Sequence, residues 1–199
     1  MNNVTLRIEL LGYWHPGAGR GGGAVVDARA HRDSMGLPVL PGRHLKGLLR
    51  DALERAETWN WPGHAGLAVS LFGHRTERLP PGQMPESGCL RVSDARLPDP
   101  VADWLASTDE GRARLPGLFR SLHATAVDEV GCTARDGSLR GIEVVVPFTL
   151  EASIARTGQR LPPVDWADRL RDVLPLVNAV GAHRTRGLGR AVLTLESTT

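Results

Sequence analysis

Between Val4 and Gly12 the apolar residues Val4, Leu6, Ile8 and Leu10 alternate with Thr5, Arg7 and Glu9, the period-two pattern of a half-buried strand. Further on, Leu45, Leu48, Leu49, Ala52, Leu53 and Ala56 recur three and four residues apart, which predicts an amphipathic helix over about Arg43 to Thr58. A second helix is expected after Pro162-Pro-Val-Asp165, with Asp165 as its cap, one face formed by Trp166, Leu170, Val173, Leu174 and Val177, and an end near Gly181. Arg190 to Glu196 alternates again and gives a last strand. The middle is less regular. Cys89 to Ser93 reads as a strand and Val101 to Ser107 as a short helix. Asp128-Glu-Val-Gly and Arg135-Asp-Gly137 are turn signals for a protruding hairpin between Ala124 and Arg140. Ile142 to Ile154 reads as one long strand with an edge or bulge at Pro147. The order strand, helix, strand, hairpin, strand, helix, strand is compatible with one α+β domain over residues 1–199, a split β-α-β sandwich of ferredoxin-like type.

The chain of 199 residues is 41% apolar and 23% charged, so it can bury an ordinary core. It holds no apolar run of the roughly 20 residues that cross a bilayer and no signal-peptide pattern at its start, and a cytoplasmic protein without membrane contact is expected. Cys89 and Cys132 stand apart, which points to reduced packing residues rather than a disulfide framework or a zinc site. The net charge is only +2, yet Lys46 is the single lysine among 24 basic residues. Arginine suits bidentate phosphate contact and base stacking, although a GC-rich genome would give the same bias.

Phosphate-loop, zinc-protease, serine-hydrolase and dinucleotide motifs are absent from the sequence. The seven histidines, at 15, 31, 44, 64, 74, 123 and 183, show no ligand spacing, so no metal site is evident from the pattern. Two glycine-flanked basic segments stand out. One, Leu37 to Arg50, opens the first helix with Arg43, His44 and Lys46, where the helix dipole prefers acids, and this hints at a docked phosphate. Arg50 follows Lys46 by one turn on the same face. The other, Gly181 to Arg190, carries His183, Arg184, Arg186 and Arg190 and no acid. Both segments also admit the reading of solvated charged surface. A third feature is the glycine-rich stretch His15 to Gly23, read as a functional or disordered loop, followed by Val25-Val-Asp27. Asp27 either stands beside a splayed phosphodiester that its own 2'-hydroxyl can attack, binding a divalent ion or accepting the proton, or it pairs with Arg29 or Arg32. Asp33 fits turn chemistry before Ser34-Met-Gly. Trp14, beside the glycine loop, is the candidate for base stacking among five tryptophans.

Pro41-Gly-Arg-His-Leu-Lys-Gly-Leu-Leu-Arg50 resembles the first-helix signature of the RAMP superfamily, the RNA-binding subunits of CRISPR effector complexes, and Gly181 to Arg190 is similar to its glycine-rich loop before the last strand. Leu71-Phe-Gly73, Gly88 to Leu97 and Thr125 to Leu139 follow in the order seen in backbone (Csm and Cmr) subunits of type III complexes, so the resemblance covers nearly the whole chain. It departs at Tyr13-Trp14, at Arg43-His44 and in its short length, which reduces the thumb. The resemblance implies an RRM-like fold with a short hairpin thumb, and RNA contacts from His15, Arg43, His44, Lys46, Arg50, His183, Arg184, Arg186 and Arg190. It further implies target-RNA cleavage by Asp27, with Mg2+ or Mn2+ as a candidate ion. The implied partners are guide RNA, target RNA, copies of the same chain and other effector subunits. A non-catalytic subunit that binds or caps the guide is the alternative, and a guide-processing ribonuclease using His15 or His44 is a third.

Overall fold

The computed structural model describes residues 3–17, 27–75, 80, 82–128 and 131–197. Strand β1 (Val4–Leu10) is followed by α1 (Gly42–Thr58), α2 (Leu67–Phe72) and β2 (Leu90–Val92). Then come α3 (Asp99–Ser107), α4 (Asp109–Arg114), β3 (Phe119–Ala124), β4 (Arg140–Val145), β5 (Thr149–Arg156), α5 (Trp166–Val173) and β6 (Ala191–Ser197). A four-stranded sheet has the order β2-β5-β1-β6, with every neighbouring pair antiparallel. Strand β5 thus lies between β1 and β2, the split β-α-β arrangement of a ferredoxin-like fold, with α3, α4 and the separate β3–β4 hairpin inserted before β5. No helix among the described residues is long and apolar enough to cross a membrane.

The core follows from register. Leu6 faces Ala152 and Leu195, and Ile8 faces Leu150 and Leu193, so the apolar members of three strands fall on one face. Helix α1 lays Leu45, Leu49, Ala52, Leu53 and Ala56 on that face, all essentially without exposure. Burying one such leucine contributes roughly 1.5–3 kcal/mol, and this stripe is why α1 forms where its periodicity placed it.

Four expectations change. The run from Ile142 to Ile154 is two strands in different sheets, because the chain turns a corner at 146–148, where Val146 donates to the Leu118 carbonyl and Leu10 to the Phe148 carbonyl. Helix α5 ends at Val173 and continues as a 3-10 turn over Leu174–Leu176, since Pro175 has no N–H to extend the α-helical ladder. Asp165 makes no cap bond; its carboxylate accepts from Arg169 Nε at 2.9 Å instead. Cys89 is buried as expected, whereas Cys132 is exposed and packs no core.

The start of α1 is neutralised from elsewhere in the chain. Its first turn contains no acid, but Gly42 N donates to Asp94 Oδ1 at 2.8 Å across the end of β2. A Cβ on Gly42 would lie 2.4 Å from the Val92 carbonyl oxygen, so only glycine lets the helix start this close to the strand. The acid favoured by the helix dipole is therefore present, supplied by the segment after β2. Asp94→Ala is expected to lower unfolding stability by about 1 kcal/mol through loss of this cap; denaturant titration of both proteins measures it.

Candidate functional site

The residues that follow β1 set the geometry. Trp14 pairs antiparallel with Val145 of β4 through Trp14 N to Val145 O (3.1 Å) and Val145 N to Trp14 O (2.8 Å). Its indole is fully buried, donates to the Val146 carbonyl and meets the Phe148 ring edge-on. Trp14 is thus a core residue and not a stacking platform. His15 pairs with Ala182 of the glycine-rich loop, whose N–H donates to the His15 carbonyl at 2.8 Å. The His15 ring is 2% exposed and hydrogen-bonds through Nδ1 to the Glu143 carbonyl at 2.7 Å, so burial removes it from direct RNA contact.

Asp27 joins the hairpin from the other side. Its N–H donates to the Gly141 carbonyl at 2.7 Å, and its Oδ2 accepts from Gly141 N at 2.9 Å. Arg32 pairs with Glu143 at 2.6 Å and stacks over Phe119, so the alternative Asp27–Arg32 pair is not the one formed. Asp33 accepts from Met35 N and Leu37 N, the turn role read for it. Residues 18–26, including most of the glycine-rich stretch and Val25-Val26, lie outside the described residues.

Between the β3–β4 hairpin and the 181–190 loop lies a cleft of about 690 Å3. Asp27, His123, Arg140, His183 and Arg186 line it, with Leu122, Ile142 and Leu188 as apolar wall. The structure therefore brings Asp27 together with two of the predicted loop residues. It adds His123 and Arg140, which sequence reading missed; their signal was position on a hairpin flanking the Asp27 segment. Arg184 and Arg190 are exposed outside this lining.

A second groove of about 600 Å3 runs along the start of α1 and includes Arg43, Lys46, Arg50, His74 and Arg91. Arg91, also missed, points outward by the alternation of β2, between buried Leu90 and Val92. Arg50 donates from its guanidinium to the Phe72 carbonyl at the end of α2, which gives it a structural duty inside the groove. His44 leaves the groove altogether: its Nε2 accepts from Gly181 N at 2.9 Å, so the two glycine-flanked corners meet there.

A sequence model of the RAMP superfamily matches residues 7–192. The chain belongs to the RAMP superfamily. Among solved structures, this RAMP chain is similar to a chain of the type III-B Cmr-β complex in its apo state, at 13% identity and TM-score 0.68, covering 97% of this chain and 96% of that one. A chain of the Cmr-β complex bound to cognate target RNA gives 11% identity and TM-score 0.71 over the same shares. A chain of a type IV-B CRISPR complex gives 16% identity and TM-score 0.56, over 99% and 91%. A search of curated proteins finds no match.

Electrostatics of the RAMP chain favour neutral imidazoles at its corners. Burial, then the nearby Arg184 charge, lowers the His44 pKa below its ordinary 6.5. Burial, then His15 and Arg186, lowers that of His183. Burial and Arg50 lower Lys46, as desolvation disfavours its cation. Neutral His44 is the form whose Nε2 can accept the Gly181 N–H. With the folded value below the unfolded one, its contribution is complete above pH 6.5 and is lost as pH falls through the folded value. His44→Gln, which does not titrate, is therefore expected to lose less stability than the wild type between about pH 7 and about pH 5; denaturant unfolding at the two pH values compares them.

Proposed function

We propose that this RAMP chain is an RNA-binding backbone subunit of a type III CRISPR effector complex and that it cleaves guide-paired target RNA in the cleft holding Asp27. Family membership and the likeness to Cmr-β chains support the assembly, with guide RNA, target RNA, copies of the chain and other effector subunits as partners. The observation that carries the catalytic reading is the placing of an acid, two imidazoles and two guanidiniums around one cleft.

The chemistry that suits these groups is transesterification. The target 2'-oxygen attacks the adjacent phosphorus, an O2'–P bond forms, the P–O5' bond breaks, and a 2',3'-cyclic phosphate and a 5'-hydroxyl result. Arg140 and Arg186 offer bidentate donors to the phosphate oxygens as charge builds. Arg43 and Lys46 would grip the RNA backbone in the second groove. Among the described residues no three His, Cys, Asp or Glu side chains converge as a metal cage. The donor set fits an Mg2+ or Mn2+ held by Asp27 together with RNA phosphates, an ion that would supply charge neutralisation at the phosphate.

Asp27→Asn keeps a carbonyl oxygen for Gly141 N while removing the charge, so it separates chemistry from folding. In the assembled complex it is expected to slow target cleavage about 10^2- to 10^4-fold. The hydrogen bond from Gly141 N to Asp27 favours a second reading, a non-catalytic guide-binding subunit, and undiminished cutting by Asp27→Asn would establish that one. Lys46→Ala is expected to weaken binding of every RNA sequence alike and to reduce the slope of log affinity against log salt by about 0.7–0.9; an unchanged slope counts against the phosphate contact.

A further inference from the structure

We propose that His183 accepts the proton of the attacking 2'-hydroxyl in the Asp27 cleft. This rests on the reading that target RNA is cut there, and it goes further by dividing the labour: His183 moves the proton, and Asp27 would hold the counter-ion of the phosphodiester. The nucleophile's proton passes from O2' to an imidazole nitrogen of His183 as the O2'–P bond forms. The departing O5' takes a proton from water, and His183 returns its own proton to solvent.

Three observations of the fold support the assignment. His183, half-buried, lines the same cleft as Asp27, the space a phosphodiester beside Asp27 would occupy. Its backbone adopts φ 58, one of three non-glycine residues with positive φ among the described residues. Such a conformation costs of order 1–3 kcal/mol and persists where the surroundings hold it. Here they do. Ala182 N is bonded to His15 O, Gly181 N to His44, and Arg186 N to the His183 carbonyl at 2.9 Å. The ring also packs on the buried His15 ring at a centroid distance of 5.8 Å. An imidazole fixed in this way is pre-positioned for proton transfer.

The groups around it set its charge. The His15 ring packs against it, Arg186 shares its loop, and Asp27, His123 and Arg140 line the same cleft from the side of the hairpin. Burial and the neighbouring His15 and Arg186 favour the neutral ring, the form that can take a proton at neutral pH. His123 lies on the largely exposed strand β3, paired through its backbone with Gly141, whereas His183 is braced by a buried ring and by loop hydrogen bonds, which is why the assignment goes to His183.

The test uses the assembled complex with cognate target RNA. His183→Asn, a residue that tolerates positive φ, is expected to bind target as the wild type does and to cut it about 10^2- to 10^4-fold more slowly. The wild-type rate should rise with pH below the ordinary histidine range and then level, and His183→Asn should lack that rise. His183→Gly, which also suits the backbone, should regain cutting when free imidazole is added. Wild-type cutting and pH profile in His183→Asn, lost target binding in it, or no imidazole rescue would each overturn the assignment. A wild-type complex that leaves target uncut, or full cutting by Asp27→Asn, would instead overturn the cleft reading beneath it.

Discussion

The dipeptide Trp14-His15 is the joint on which the candidate site depends. One residue pairs its backbone with β4 and the next pairs with the glycine-rich loop, so two consecutive positions tie the inserted hairpin and the loop to the end of β1. Extended backbone makes this work, since successive residues offer their hydrogen-bonding groups to opposite sides. The loop can approach because its glycines carry no side chain. A Cβ on Gly181 would sit 2.7 Å from the His15 carbonyl oxygen, and one on Gly189 would sit 1.8 Å from that of Val180. Both glycines also have positive φ, at 84 and 73 degrees. Their place in the sequence thus reflects backbone-on-backbone packing first, and the charged residues between them are held as a consequence.

The same packing sorts the basic residues by duty. His15, His44 and Arg50 each commit a polar atom to a backbone group of the protein: the Glu143 carbonyl, the Gly181 amide and the Phe72 carbonyl. Arg43, Arg184, Arg186 and Arg190 remain exposed, and Lys46 is half-buried. The strands β1, β2, β5 and β6 contain no aromatic residue, so the face of the four-stranded sheet away from α1 offers Arg7, Glu9 and Glu151 where base-stacking sheets present rings. Phosphate contact at the corners, and not stacking on the sheet, is the mode this surface suits.

Where a pattern is local, the sequence disclosed it. The edges of β1, α1 and β6 follow from apolar periodicity, and Asp33 serves its turn because the bonds involved reach only two and four residues along the chain. Burial of a polar or aromatic side chain is decided by partners far away in sequence, and there the reading failed. His15 is buried by its bond to residue 143, Trp14 by residues 145–148, and the acid at the start of α1 comes from Asp94. The break between β4 and β5 was hidden for another reason. Val144 to Phe148 is apolar on both sides of Pro147, so one bent strand and two strands in separate sheets carry the same pattern.

Glu143 shows how a residue with no chemical role can still determine what the cleft does. Its Oε1 pairs with Arg32, its Oε2 accepts from Ala30 N at 3.0 Å, and its carbonyl takes the His15 Nδ1 bond. Arg32 is further held by stacking 3.6 Å above the centre of the Phe119 ring. A guanidinium five residues from Asp27 is in this way committed to another carboxylate. The bond from Gly141 N to Asp27 comes from a neutral amide, which orients the carboxylate without cancelling its charge. Asp27 thus lines a cleft that also holds Arg140, Arg186 and His183, and fold stability does not call for that placement, because pairing Asp27 with Arg32 would have satisfied both at once. Arg140 and Arg186, the guanidiniums of the cleft, have the fork geometry that complements a phosphate.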